Sequence, residues 1–308
     1  MSMSDEVARS AGARVSGGLP PGTGPSVPRT ARERARAEIT AEILDAGRRH
    51  LAIEGGAGLS LRAIARDLGM ASSAVYRYVA SRDELLTRLI IDAYDSLGAA
   101  AEAREGKQDR ADLVGRWSAI CVAVREWAVT NPNEYALIYG SPVPGYVAPL
   151  DTIAPASRVS ALLVQILIDA VASGLEVPPR SGREAPPPRG DQVSPAGGGQ
   201  VLQEGASQAS TEGGDQVLAG SGQVLPACRS ALAPMRAVMP PEMSDAALQA
   251  GLMVWAALFG MVSFELFGQF HNVVGDGPGD REAFFAECVR RWAGQVGIAT
   301  AAEFSERS

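Results

Sequence analysis

Between Ser60 and Arg82 the chain gathers hydroxyl, phenol and guanidinium groups, among them Ser60, Arg62, Ser72, Ser73, Tyr76, Arg77, Tyr78 and Arg82. Hydroxyls both donate and accept hydrogen bonds, and a guanidinium offers a rigid fork of donors. Groups of these types, carried by short helices, suit phosphate oxygens and the edges of bases. Other chemistries find less support. The only histidines are His50 and His271, each read as ending a helix, and neither stands beside a visible nucleophile. Cys121, Cys228 and Cys288 lie far apart, with no C-x-x-C, so metal-ligand spacing is absent and reduced, mostly buried thiols are expected. The glycines at 197–199 follow no strand and do not make a phosphate loop. No catalytic residue, metal or cofactor is expected.

The elements that must position these groups are helical. A first helix over residues 32–53 carries Ile39, Ile43, Ala46 and Leu51 at three- and four-residue steps, and Gly55, Gly56 and Gly58 stop it. Ser60 is a suitable N-cap for a second helix whose buried face is Leu61, Ile64 and Leu68. Gly69 supplies a turn with positive φ. A short helix then spans residues 72–79, with Val75 and Val79 inward and Ser72, Ser73, Tyr76 and Arg77 outward. Two short helices joined by a glycine turn, residues 60–79, make a helix-turn-helix. Ser81 and Glu84 form a capping box that opens a long helix through Leu85, Leu86, Leu89, Ile90, Ala93 and Leu97.

The net charge of −7 argues at first against a nucleic-acid partner, but its distribution does not. Between Arg29 and Ile90 there are 11 arginines against 8 carboxylates, while the remainder holds 17 basic and 27 acidic residues. Residues 1–30, with Pro20, Pro21, Pro25 and Pro28, read as a disordered arm. Residues 176–226, rich in Gly, Pro, Ser and Gln, read as a disordered insertion with crude, non-stacking repeats. The N-terminus has no apolar signal region, and the longest apolar run, residues 252–264, falls short of the ~20 a span needs. A soluble, cytoplasmic protein without a membrane partner is expected.

Leu61-Arg-Ala-Ile-Ala-Arg-Asp-Leu-Gly69, Ala74-Val-Tyr-Arg-Tyr-Val79 and Ser81-Arg-Asp-Glu-Leu-Leu86 together resemble the TetR family of regulators over residues 36–96. Two positions differ from the usual pattern: Ala71 stands where Ser or Thr often caps the recognition helix, leaving Ser72 to take over, and Val79 stands where Phe is common. The body, through Asn131 to Pro142 and Trp255 to Gly268, is similar to the subgroup with a WHG-type C-terminal domain. The resemblance implies an all-α fold: a three-helix DNA-binding domain at residues 31–97, then a helical regulatory and dimerisation domain at 98–175 and 227–300. It implies a homodimeric repressor on a palindromic operator. Ser72, Ser73 and Tyr78 would lie nearest base edges or adjacent phosphates, Tyr76 on the backbone, and Arg62 and Arg82 by phosphates at helix starts. Arg29, Arg32, Arg34 and Arg36 either follow the DNA or remain a solvated arm.

Further helices are expected at residues 110–130, 132–139, 155–174, 227–238, 244–271 and 280–296. The resemblance puts the last two in a four-helix dimer interface and implies a pocket for a small-molecule effector. Candidates to line it are Trp117, Cys121, Trp127, Tyr135, Tyr139, Trp255 and Phe259, with ordinary core packing as the alternative for each. The stretch 141–144 breaks the helices as a gate or a connection. The remaining possibilities are an enzyme, for which no site is visible, and a purely structural protein, which leaves the polar face of residues 72–78 unexplained.

Overall fold

The structure is a computed structural model that describes residues 30–175, 224, 226–275, 277 and 279–299. The expected arm at 1–30 and insertion at 176–226 therefore lie outside the described residues, apart from Thr30, Val224 and Pro226. Every regular element among the described residues is helical.

Helix α1 (Ala31–Gly58) begins at a capping box: Thr30 accepts from the Glu33 backbone N–H while the Glu33 carboxylate accepts from the Thr30 N–H. The helix outlasts its expected end by five residues, and its regular dihedrals break at Gly55. α2 (Leu61–Asp67) and α3 (Ser72–Val75) follow. α4 (Arg82–Glu105) starts at Ser81, whose hydroxyl accepts from the Glu84 N–H at 3.0 Å. The Glu84 carboxylate accepts from the Ala80 N–H at 2.6 Å and not from Ser81, so only the Ser81 half of the expected capping box forms. The bond from Ala80, with help from Arg88, outweighs burial and holds Glu84 below the usual carboxylate range.

One small core joins these elements. Ile43, Ile64, Val75, Val79, Leu85 and Leu86 are fully enclosed in it. α4 then continues into a second core, where Ala93, Leu97 and Ala101 meet α5 (Leu113–Thr130), α6 (Pro132–Tyr139) and α7 (Ile153–Ala172). A single rigid helix thus serves both halves.

The chain resumes with α8 (Pro226–Ala231), α9 (Ala233–Arg236), α10 (Asp245–Leu266) and α11 (Asp280–Gln295). The single helix expected at 227–238 is broken, because Pro234 lacks the N–H that would bond the preceding turn and is tolerated only at the start of α9. The helix expected to reach residue 271 ends at Leu266 and gives way to turns.

Two ionic clamps tie the body together. Arg116, 1% exposed, bonds Glu105 of α4 at 2.6 Å and Asp169 of α7 at 2.7 Å. Arg125 of α5 forms a bidentate pair with Glu265 of α10 at 2.6 and 2.7 Å and sits over the Phe285 ring. Burial pushes the Asp169 carboxyl upward, but hydrogen bonds from Arg116 and Gln165 and the nearby Arg110 charge outweigh it, so its pKa lies below the ordinary 3.8.

Contrary to the expectation from run length, Leu150–Ala172 and Asp245–Leu266 are long and apolar enough to cross a membrane, with mean hydropathies of 1.4 and 1.7. Both pack into the second core, through Leu163, Ile166 and Ala170 on α7 and Ala247, Val254 and Leu258 on α10. α10 also keeps apolar side chains outside it, Met253 and Phe264 among them.

Candidate nucleic-acid interface

The helix-turn-helix is built from local rules. Ser60 caps α2, its hydroxyl accepting from Ala63 N–H at 3.4 Å. Leu61, Ile64 and Ala65 seat α2 in the core. Gly69 takes φ +63, which lets Met70 N–H reach back to the Ala65 carbonyl at 2.8 Å. His50 ties α1 to α2: it lies within the helix, not at its end, and its Nε2 is 2.5 Å from Asp67.

Regular α-geometry in α3 covers only Ser72–Val75; turns with bonds to Ala74 and Val75 carry the chain on to Val79. Ala71 provides no side-chain cap. Val75 and Val79 are fully buried and fix the rotation of the segment. That rotation leaves Ser72, Ser73, Tyr76 and Arg77 exposed, with the Tyr76 ring 45% exposed. Tyr78 is half-buried, its ring covered by the Arg36 guanidinium at 5.3 Å, while Arg36 also donates to the Arg77 carbonyl at 3.0 Å. Arg36 was legible only as one arginine of an arm; its packing role depends on a contact 41 residues away. Arg62 and Arg66 are exposed on α2 and carry no ion pair among the described residues.

Arg82 departs from expectation. Its guanidinium donates to the carbonyls of Gly56 at 2.8 Å, Ala57 at 3.1 Å and Leu59 at 3.2 Å. The end of α1 leaves carbonyls without helical partners, and Arg82 satisfies them. It is a structural tie between α1 and α4, with its side chain 31% exposed.

The 140–149 segment joins this module to the body. A Cβ at Gly56 would stand 2.7 Å from Val143, so glycine permits the approach, and Tyr146 shares a 2.9 Å hydrogen bond with Thr87 of α4. Of the two readings of residues 141–144, connection is the one these contacts build.

The expected pocket residues separate. Trp117 and Trp255 line a cavity of about 240 Å³ between α5, α7, α9 and α10. The others are occupied elsewhere. Cys121 is fully buried, and burial drives its thiol pKa well up. Trp127 donates to Ser96 at 2.9 Å. Tyr135 bonds the Phe259 carbonyl and Ser263, both at 3.0 Å, with its pKa pushed up to about 12 by burial. Tyr139 stacks on Phe259 with ring centroids 4.3 Å apart. Sequence reasoning missed Met235, Met239 and Met243, which also line the cavity; their spacing of four was the available signal.

Comparison with known proteins agrees with this architecture. Residues 43–89 match the model for bacterial regulatory proteins of the tetR family, and residues 117–292 match that of the tetracyclin repressor-like C-terminal domain. The HTH-type transcriptional regulators Rv1816 of Mycobacterium tuberculosis and Mb1846 of Mycobacterium bovis are each 54% identical over 149 residues, 47% of this chain. The match spans 60% of the length of those relatives. A crystal structure described as that of a regulatory protein, SCO4313, superposes with a TM-score of 0.59 at 28% identity, covering 86% of this chain and 100% of its own. A Rhodococcus protein of unknown function shares the fold, with a TM-score of 0.51 at 18% identity, 84% of this chain and 95% of its own. With a helix-turn-helix and a C-terminal body that both match, the chain belongs to the tetR family of bacterial regulatory proteins, a family of regulators and not of enzymes.

Proposed function

We propose that the chain is a homodimeric, effector-responsive repressor that grips a palindromic operator through α2 and α3. The carrying observation is the fixed outward display of Ser72, Ser73, Tyr76 and Arg77, locked by the fully buried Val75 and Val79. Hydroxyls and a guanidinium so placed would reach base edges and phosphates in a major groove, with Arg62 and Arg66 on the flanking backbone. Tyr78 supports the segment from behind. Arg82, whose guanidinium holds the end of α1, stands beside that face.

The second copy covers the apolar face of α10 and α11. Met253 (64% exposed), Phe264 (54%) and Phe284 (41%) lie on it, and Phe270 bridges Phe264 and Phe284 in edge-to-face contacts. A soluble, cytoplasmic dimer accounts for that face without a membrane. Effector binding in the body would shift the spacing of the two reading heads through α4 and the 140–149 connection.

The test is a gel-shift titration of the protein against a palindromic fragment from its own promoter, at several salt concentrations. Preference for the fragment over random DNA, weakening linearly in log salt, is expected. Equal affinity for random DNA would refute the regulator reading.

A further inference from the structure

We infer that the effector is a small, uncharged, mainly apolar molecule seated between α7 and α10 against a wall of three methionines. This rests on the proposed reading of the chain as an effector-responsive regulator and names the chemistry of its ligand.

The cavity sets the size. Its volume is about 240 Å³. An apolar cavity of roughly 150 Å³ takes up benzene, so this one suits a molecule of on the order of ten non-hydrogen atoms. It is a built concavity, because Trp117, Leu167, Met243 and Leu248 are each at most 3% exposed.

The walls set the chemistry. No charged side chain lines the cavity. The one hydroxyl, Ser160, already donates to the Ser157 carbonyl at 2.9 Å, and the Trp117 N–H is spent on the Val289 carbonyl at 3.2 Å. A carboxylate or ammonium placed here would lose its hydration and gain no partner.

The methionine wall sets the tolerance. Met235, Met239 and Met243 come from α9 and the turn before α10. Unbranched thioether side chains adapt to differing shapes. The backbone beneath them is held firm, since the Arg236 guanidinium donates to the carbonyls of Met239, Pro240 and Met243. A fixed wall with deformable side chains admits a class of apolar molecules rather than one outline. Ser160 also lines a neighbouring cavity with Tyr94, Tyr146 and Ile153, so a filled site presses on the α7 wall that faces the 140–149 connection.

The experiment is calorimetric titration of the full chain, without DNA, with 1-octanol, octanoate and octylammonium at pH 7. Octanol should bind at least about tenfold more tightly than either ion. Val164→Phe, which fills the cavity from α7, should weaken octanol binding at least about tenfold. Should that variant fold poorly, Leu252→Trp on the rim should do the same. Octanoate or octylammonium binding as well as octanol would overturn the proposal, as would octanol binding that a folded filling variant leaves unchanged. Operator binding is scored separately by gel shift, so its failure with octanol binding intact counts against the DNA-reading face and leaves this site standing.

Discussion

The two halves of the chain are finished to different degrees. The helix-turn-helix closes its core within one copy: Ile43, Ile64, Leu85 and Leu86 are enclosed, its helix starts are mostly capped, and the face that α2 and α3 leave outside is mainly polar. The body is left open. α10 and α11 expose methionine and phenylalanine, and a cavity with apolar walls lies between α7 and α10. The first half is built to hold one surface rigid. The second leaves apolar surface uncovered, and a shared α4 runs through both cores.

The contrast can be broken from the body side. Arg116→Ala strips Glu105 of its buried partner and leaves Asp169 only Arg110 and Gln165, which should cost about 3–5 kcal/mol and lower the thermal midpoint of the body. Next in size, Phe264→Glu with Phe284→Glu should give monomers by sedimentation and cut operator affinity about 100-fold, since linked reading heads gain that much or more from simultaneous engagement. If the reading head is self-contained, its helicity will be unchanged in that variant.

Arg82→Ala sharpens the comparison on the other side. It should destabilise by about 1–3 kcal/mol, through three carbonyls left without a donor, and any loss of operator binding should track the fraction unfolded. Acid should loosen the body through Asp169. Its folded pKa is depressed, so its contribution is present above the unfolded value of ~3.9 and fades as pH falls through the folded one. Circular dichroism melts between pH 5 and 3 should show that decline, and Asp169→Asn should flatten it. Smallest, Ala71→Ser should supply the missing cap of α3 and raise the melting free energy by about 0.5–1 kcal/mol.

What was legible in the sequence follows the same division. The helix-turn-helix obeys short-range rules, so Ser60, Gly69, Val75, Val79 and Ser81 have the roles that their types and spacing indicate. The tie made by Arg82 was not legible because its acceptors lie 23–26 residues upstream, beyond any local pattern. The pocket was half legible for a similar reason. An aromatic side chain does not announce whether it will line a space or fill one: Trp117 and Trp255 line it, whereas Tyr135 and Trp127 spend their polar atoms on Ser263 and Ser96. The methionine wall went unread because Met239 and Met243 lie past the helix expected at 227–238, in the turn before α10.

The central claim is that the face of α3 reads DNA while the buried side of the same segment only positions it. Operator affinity of Tyr76→Ala/Arg77→Ala, measured by fluorescence anisotropy beside sedimentation and thermal melting, tests this most directly. The account predicts at least a tenfold loss of affinity, a shallower salt slope, and an unchanged dimer and melting point. Undiminished affinity, or a loss that comes only with unfolding or dissociation, would contradict it.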